Sequence, residues 1–387
     1  MGEVANIPQL RFPEFSNEWE ESKVGKVFKV SAGGDIKTEN VSQIKTDGFP
    51  YPIYANAEKA KGLYGYSNLY KSEANVVTVA GRGVNIGIAH VRLEPFYPIV
   101  RLLVLNPIKD ADVKFWENQL NQLNLFVEST GVPQLTAPQI SSYKVKYPSK
   151  PEQQKIAAFL TAVDNKIEQL SKKQELLGEY KKGLMQQIFS QATRFKADDD
   201  SEFPDWEERV LGDYLAHKSK KNKNNEVDLV LSVSNKKGFI TQDEQFDGYQ
   251  VASKDLTNYK IVEKGEYAYN PSRINVGSIA RLKNNTIGIV SPMYVVFKLK
   301  NLDSIFFDNL YQTHLFKHLI KVGCSGSVRD SLNFNDMADF VFSFPSLEEQ
   351  AKIANFLSSI DSKIEQVGKQ LDESKQFKKA LLQQMFV

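Results

Sequence analysis

The stretch PSKPEQQKIAAFLTAVDNKIEQL at residues 148–170 returns at residues 345–367 as PSLEEQAKIANFLSSIDSKIEQV. The correspondence continues without a gap to Phe189 and Phe386 at a constant offset of 197 (345 − 148), with about half of the aligned residues identical. Self-similarity on this scale marks duplication of a structural unit. The chain therefore reads as two halves, each a globular part followed by a long helix.

Both copies carry helix signals. Ser149-x-x-Glu152 and Ser346-x-x-Glu349 match the capping box, in which serine accepts a first-turn N–H and glutamate reaches back to the cap. Apolar residues follow at Ile156, Leu160, Val163, Ile167, Leu170, Leu177, Tyr180, Leu184 and Ile188. The second copy repeats the pattern at Ile353, Leu357, Ile360, Ile364, Val367, Leu371, Phe377, Leu381 and Met385, with Ser374 as a soft position. This is mostly the four-three spacing of a coiled-coil seam. A helix of about 37 residues would be roughly 55 Å long, more than a compact domain requires. Alone it would expose a long apolar stripe, and the equivalent stripe of the other copy is its natural cover. A globular part separates the copies, so an antiparallel pair with a globular part near each end is expected, the halves related by a pseudo-two-fold axis.

At 387 residues the chain exceeds the size at which a single core usually keeps growing. The balance of 49 basic against 47 acidic residues excludes a polyanion-coating tail but permits a local basic face. Cys324, the single cysteine, cannot form an internal disulfide. The polar start MGEVANIPQL has no secretory pattern, and no apolar run approaches a membrane span. The expectation is a cytoplasmic protein with no membrane partner.

The globular parts echo each other more faintly than the helices. Trp19-Glu20-Glu21 with Val24-Gly25 matches Trp206-Glu207-Glu208 with Leu211-Gly212 at an offset of 187 (206 − 19), so the second part is longer internally. Residues 76–79, 100–105 and 294–299 are expected as strands, and 115–128 and 305–322 as helices. Extended stretches at 143–147 and 340–344 lead into the Pro-Ser caps. The fold class expected is α+β: two mixed α/β domains at 1–147 and 193–344, with spacer helices at 148–192 and 345–387. Close duplication of helices beside loose duplication of globular parts suits a molecule that reads two different things at a fixed separation.

The doubled P-S-x-x-E-Q, K-I-A-x-F-L and D-x-K-I-E-Q pattern resembles the specificity subunit of type I restriction-modification systems. The resemblance spans the whole chain. It includes Arg82-Gly83-Val84-Asn85-Ile86-Gly87 and Tyr269-Asn270-Pro271-Ser272-Arg273, which look like segments of that family's target-recognition domains. It implies that each domain reads one half of a split, asymmetric double-stranded DNA site, and that the helices act as a ruler for the unread spacer. It also implies docking of two methyltransferase subunits on the helices, with motor and nuclease subunits completing the restriction complex. S-adenosylmethionine would then belong to the methyltransferase subunits; no cofactor, metal or catalysis is expected of this chain.

Several residues are candidates for DNA contact. Arg82, between two glycines, and Asn85 are of the types that pair with guanine and adenine edges; a solvated Arg on a tight hairpin is the plainer alternative. Arg273 and Asn275 occupy the corresponding place in the second half. The run His217-Lys218-Ser219-Lys220-Lys221-Asn222-Lys223 suits phosphate contact through Lys218, Lys220, Lys221 and Lys223, or forms a solvated loop. Lys59 and Lys61 lie in a stretch with Tyr51, Tyr54, Tyr64, Tyr66 and Tyr70, which line a groove or are half-buried strand residues.

Rival classes have thinner support. Asn270-Pro271-Ser272-Arg273 resembles the Asn-Pro-Pro-aromatic loop of DNA amino-methyltransferases but lacks its second proline and aromatic. A stand-alone methyltransferase or nuclease also needs a nucleotide or methyl-donor motif, and none is found. His314 and His318 have metal-compatible helical spacing without a third ligand nearby, and Cys324 has no basic partner in sequence. A coiled-coil adaptor that never touches DNA is the other alternative.

Overall fold

The structure is a computed structural model that describes residues 7–57, 59–123, 125, 133–235, 237–241, 255–324 and 331–387. Each globular part begins and ends on one two-stranded antiparallel ribbon. Glu20–Lys23 pairs with Lys144–Tyr147, Glu20 opposite Tyr147, and Glu207–Val210 pairs with Val341–Phe344, Glu207 opposite Phe344. The expected exit strands are present, and each runs straight into its Pro-Ser cap. The ribbon thereby fixes where each long helix starts.

Those helices span Lys150–Phe189 and Leu347–Met385. Ser346 caps as expected, its hydroxyl accepting from the Glu349 N–H at 3.3 Å. The glutamate half of the capping box is corrected by the structure. Glu152 instead accepts from Arg11 Nε and Nη2, both at 2.7 Å, and from Trp19 Nε1 at 3.4 Å. Glu349 accepts from Arg194 Nη2 at 2.8 Å and Trp206 Nε1 at 3.1 Å. Both carboxylates are buried, and a charged, distant donor stabilises a buried carboxylate better than a neutral local amide. Hydrogen bonding to these carboxylates raises the guanidinium pKa of Arg11 and of Arg194, against the lowering effect of burial.

The neighbouring glutamines complete the anchorage. Gln153 donates to the Pro148 carbonyl at 2.9 Å and accepts from the Asp112 N–H at 3.0 Å; Gln350 does the same with Pro345 and Asp303, both at 2.9 Å. Asp112 and Asp303 are themselves the N-caps of the helices Val113–Asn121 and Ser304–Leu310. The repeated Glu-Gln pair thus ties each long helix to the globular part before it.

The chain forms two compact units, Met1–Lys172 with Gly368–Val387, and Lys173–Val367. In the first, the four-stranded antiparallel sheet runs in the order Phe28–Ala32, Leu103–Pro107, Val76–Val79, Ala89–Arg92. A second sheet orders Val41–Ser42, Leu63–Ser67, Tyr51–Tyr54 and Tyr97–Pro98. In the second unit the order is Leu215–Lys218, Val295–Leu299, Tyr267–Tyr269, Ile279–Arg281, which is the first unit's main sheet again. The mixed α/β class and its duplication are as expected.

Three boundaries differ from expectation. The strand expected at 100–105 begins only at Leu103, because Val100 and Arg101 form a turn with φ of 52° and 59°. The helix expected at 115–128 is Val113–Asn121: it starts earlier, after the Asp112 cap, and stops earlier, at the Gln122 C-cap, while 126–128 lie outside the described residues. The helix expected at 305–322 is two, Ser304–Leu310 and His314–Cys324, broken where the Thr313 hydroxyl accepts from the Phe316 N–H at 3.2 Å.

Antiparallel pairing of the long helices is visible inside each unit. In the first, Ile156 and Leu160 share a core with Leu381, Met385 and Phe386, beside Trp19, Phe28, Phe115 and Trp116. In the second, Ile188 joins Ile353, Leu357 and Ile360 beneath Tyr267, Phe297, Phe306 and Phe307. Burying each such side chain contributes roughly 1.5–3 kcal/mol, so the helix ends are integral to both cores. Two seam expectations fail: Tyr180 is 56% exposed and Phe377 53% exposed. A straight helix drifts about 20° per heptad from a strict seam, and these rings point to solvent.

Candidate nucleic-acid interface

The hairpin between Val76–Val79 and Ala89–Arg92 has the same loop length as that between Tyr267–Tyr269 and Ile279–Arg281, since Val79 pairs with Ala89 and Tyr269 with Ile279. Register therefore aligns Asn85 with Asn275 and Gly87 with Gly277. Both glycines adopt left-handed φ, 89° and 96°, a conformation open to glycine at little cost. Arg273 aligns with Gly83, one position beyond the expected match to Arg82. The two loops share a frame and differ in where they place the guanidinium.

In the first loop Arg82 is half-buried and donates through Nε and Nη2 to Gln134 Oε1 at 3.2 and 2.8 Å. Val84, at the tip, is 98% exposed. Asn85 faces a cavity of about 130 Å³ lined also by Thr78, His90 and Arg92. Arg92 is buried: it donates to Thr78 Oγ1 at 2.9 Å and to the Lys61 carbonyl at 2.7 Å, and its guanidinium lies 3.6 Å from the Tyr54 ring centre. Burial lowers the Arg92 pKa from its ordinary value. The Lys61 main chain thus has a structural role, and Ala60 and Lys61 carry φ of 50° and 53° to serve it. The side chains of Lys59 and Lys61 are exposed, and Tyr54 belongs to the packing around Arg92.

In the second loop Arg273 and Asn275 are exposed, and no side-chain bond engages either among the described residues. The basic run is partly neutralised by the protein itself. Lys218 lies 3.5 Å from Glu266, Lys220 lies 3.6 Å from Glu263, and Lys221 donates to Asn258 at 3.1 Å. Lys223 is exposed. Nearby chemistry that sequence reading missed includes the buried carboxylate of Asp308, which receives Arg281 at 2.7 Å, the exposed Lys283 at 2.9 Å and the Tyr267 hydroxyl at 2.9 Å. Burial raises the Tyr267 phenol well above its ordinary pKa.

His314 and His318 are exposed, Cys324 is buried, and no cluster of three metal-ligating side chains occurs among the described residues. No helix among the described residues is long and apolar enough to cross a membrane.

The two units repeat one sheet framework, and their aligned hairpin loops differ in the cationic and amide groups they expose. The type I restriction modification DNA specificity domain matches residues 16–177 and again 204–374, and the chain belongs to that family. A type I specificity subunit homologue of Mycoplasma pneumoniae is 31% identical over 152 residues, covering 39% of this chain and 45% of that protein; the chain thus spans under half the length of this relative. The specificity subunit of the Methanocaldococcus jannaschii type I restriction enzyme MjaVIII is 24% identical over 308 residues, covering 73% of this chain and 71% of that one. The fold is similar to the crystal structure of the type I restriction-modification S subunit from M. genitalium, with a TM-score of 0.64 at 16% identity over 98% of this chain and 99% of that one.

Proposed function

We propose that this chain is the DNA-sequence specificity subunit of a type I restriction-modification complex. Each globular part reads one half of a bipartite, asymmetric site in duplex DNA, and the long helices hold the two readings apart. The observation that carries this reading is the duplicated family domain on two sheets of identical strand order, with different side chains on the aligned hairpin loops. A shared frame bearing different loop chemistry suits recognition of two unlike half-sites.

The first long helix, at 40 residues, is about 60 Å long at 1.5 Å per residue. Half-sites on one face of a duplex lie about one helical turn apart, roughly 34–36 Å, which a strut of that length can fix. Two methyltransferase subunits dock on the helices. In support, Tyr180 and Phe377 are equivalent under the 197-residue offset (377 − 180), and each leaves an aromatic ring exposed. S-adenosylmethionine is used by those subunits, motor and nuclease subunits join for restriction, and this chain is non-catalytic and works in the cytoplasm where the DNA is.

The test is binding of the complex with its methyltransferase subunits to duplex DNA across a salt series. A specific site should be bound at least about 10³-fold more tightly than random duplex, with affinity falling as salt rises. An adaptor would show neither behaviour. A stand-alone enzyme would methylate or cut DNA as the isolated chain.

A further inference from the structure

The turn Ile99–Leu102 holds two consecutive non-glycine residues in left-handed backbone, one of them β-branched. It closes with Leu102 N–H donating to the Ile99 carbonyl at 3.1 Å, and its central residues are Val100 and Arg101, at φ of 52° and 59°. A β-branched residue in left-handed backbone is a true outlier, and such conformations persist where the surroundings over-determine them, often at functional sites. Here they do. The N–H groups of Val100 and Arg101 both donate at 3.1 Å, to the carbonyls of Gly34 and Gly33. Asn56 donates to the Val100 carbonyl at 2.5 Å and accepts from the Gly81 N–H at 2.9 Å, stapling this turn to the Arg82 loop. A Cβ on Gly33 would lie 2.7 Å from the Pro98 carbonyl, so the approach of the two segments requires glycine there.

The turn borders a cleft of about 520 Å³ into which Arg82, Arg101 and Gln134 converge, with Asp35 the one acid among its described lining residues. Gln134 holds Arg82 in place, as described above. Arg101 is exposed, and no hydrogen bond or ion pair engages its side chain among the described residues. Leu103 and Val295 occupy the same place in the two sheets, as partners of Val79 and Tyr269. Counting back from them, Arg101 corresponds to Met293, which is 61% exposed and outside the positive-φ residues. Phosphate contacts position a protein on the duplex and carry no sequence information, whereas base contacts differ with the half-site read. A rigid, strained turn that presents a guanidinium in the first unit, where the second has a thioether on unstrained backbone, suits discrimination between bases.

We infer that Arg101 is a specificity-determining residue of the first unit, its guanidinium fork reading a guanine O6/N7 edge in one half-site, with Arg82 beside it on the same cleft. This rests on the DNA-reading function proposed above. The test compares methylation motifs of genomic DNA treated with the complete methyltransferase complex carrying the wild-type chain, Arg101→Ala or Arg101→Lys. Arg101→Ala should relax one position of one half-site by roughly 5- to 150-fold in discrimination, leaving the other half-site and the spacer unchanged, and Arg101→Lys should restore it only partly. Uniform loss of methylation on all sequences would make Arg101 a phosphate contact and overturn the inference. An unchanged Arg101→Ala motif beside a normal wild-type motif would overturn it too, leaving the DNA-reading function intact. If the wild-type complex shows no motif, the function itself fails, and the inference with it.

Discussion

Lys181 Nζ lies 2.7 Å from Asp361 Oδ1, joining the end of the first long helix to the start of the second. Lys378 lies 2.6 Å from Asp164, the same pair with the copies exchanged, since 361 − 164 and 378 − 181 are both 197. Reciprocal contacts of this kind are what an antiparallel pair of duplicated helices produces, as at an isologous interface. They set register more than strength. Asp361 and Asp164 are about half exposed, so each pair contributes within the modest range of surface ion pairs.

Lengthening the helices should therefore change spacing and nothing else. Inserting one heptad in register into both long helices preserves the seam and both Glu-Gln anchorages. The expected outcome is a longer unread spacer with both half-sites intact, read by methylation mapping. Altered half-site bases with the old spacer would refute the ruler.

The Glu349 clamp should be a major stability determinant of the second unit. Glu349→Ala removes a buried carboxylate and strands Arg194 and the Trp206 indole N–H. Breaking a buried pair costs about 3–5 kcal/mol. Urea denaturation should show a loss of that order, and Glu152→Ala should do the same through Arg11 and Trp19. A loss under about 1 kcal/mol would place these contacts with ordinary surface pairs.

Strain at the Val100 turn gives an opposite expectation. Val100→Gly removes left-handed strain of about 1–2 kcal/mol, against roughly 0.5–1 kcal/mol for glycine's added freedom in the unfolded chain. The variant should be no less stable than wild type in thermal denaturation, yet discriminate less at the first half-site. A clear loss of stability would show that the turn is not strained.

His217 supplies a pH signature. Its imidazole stacks on Phe334 at 4.8 Å, and partial desolvation of this otherwise exposed side chain, with nearby Lys260, lowers its pKa from the ordinary 6.5. A depressed folded-state pKa means the unfolded chain takes up the proton first on acidification. The contribution is present above pH 6.5 and declines as pH falls through the lower folded value. His217→Gln should flatten the stability profile in that acidic window; an unchanged profile would mean the folded and unfolded pKa values coincide.

The long helices and the ribbons that lead into them were legible because their signals are local: periodic apolar residues, a Pro-Ser cap, alternating exit strands. Side chains whose partners lie far away were not. Glu152 read as a local cap because its true partners, Arg11 and Trp19, are 141 and 133 residues distant. Lys218 and Lys220 read as free cations because Glu266 and Glu263 are invisible at sequence range. Arg101 was missed for a different reason: Val100 belongs by propensity to a strand, and only the Gly33, Gly34 and Asn56 contacts impose the turn. Conversely, the structural correspondence of the two hairpin loops was legible in their shared Asn and Gly, although register shifts Arg273 to the Gly83 position.

The central claim is that one chain reads two different half-sites at a fixed separation for a partner methyltransferase. Mapping methylated bases in genomic DNA from cells that express this chain with its methyltransferase subunits tests that claim most directly. The expected result is a single motif of two unlike specified blocks separated by a fixed run of unspecified bases. An undivided motif, or methylation that persists without this chain, would contradict it.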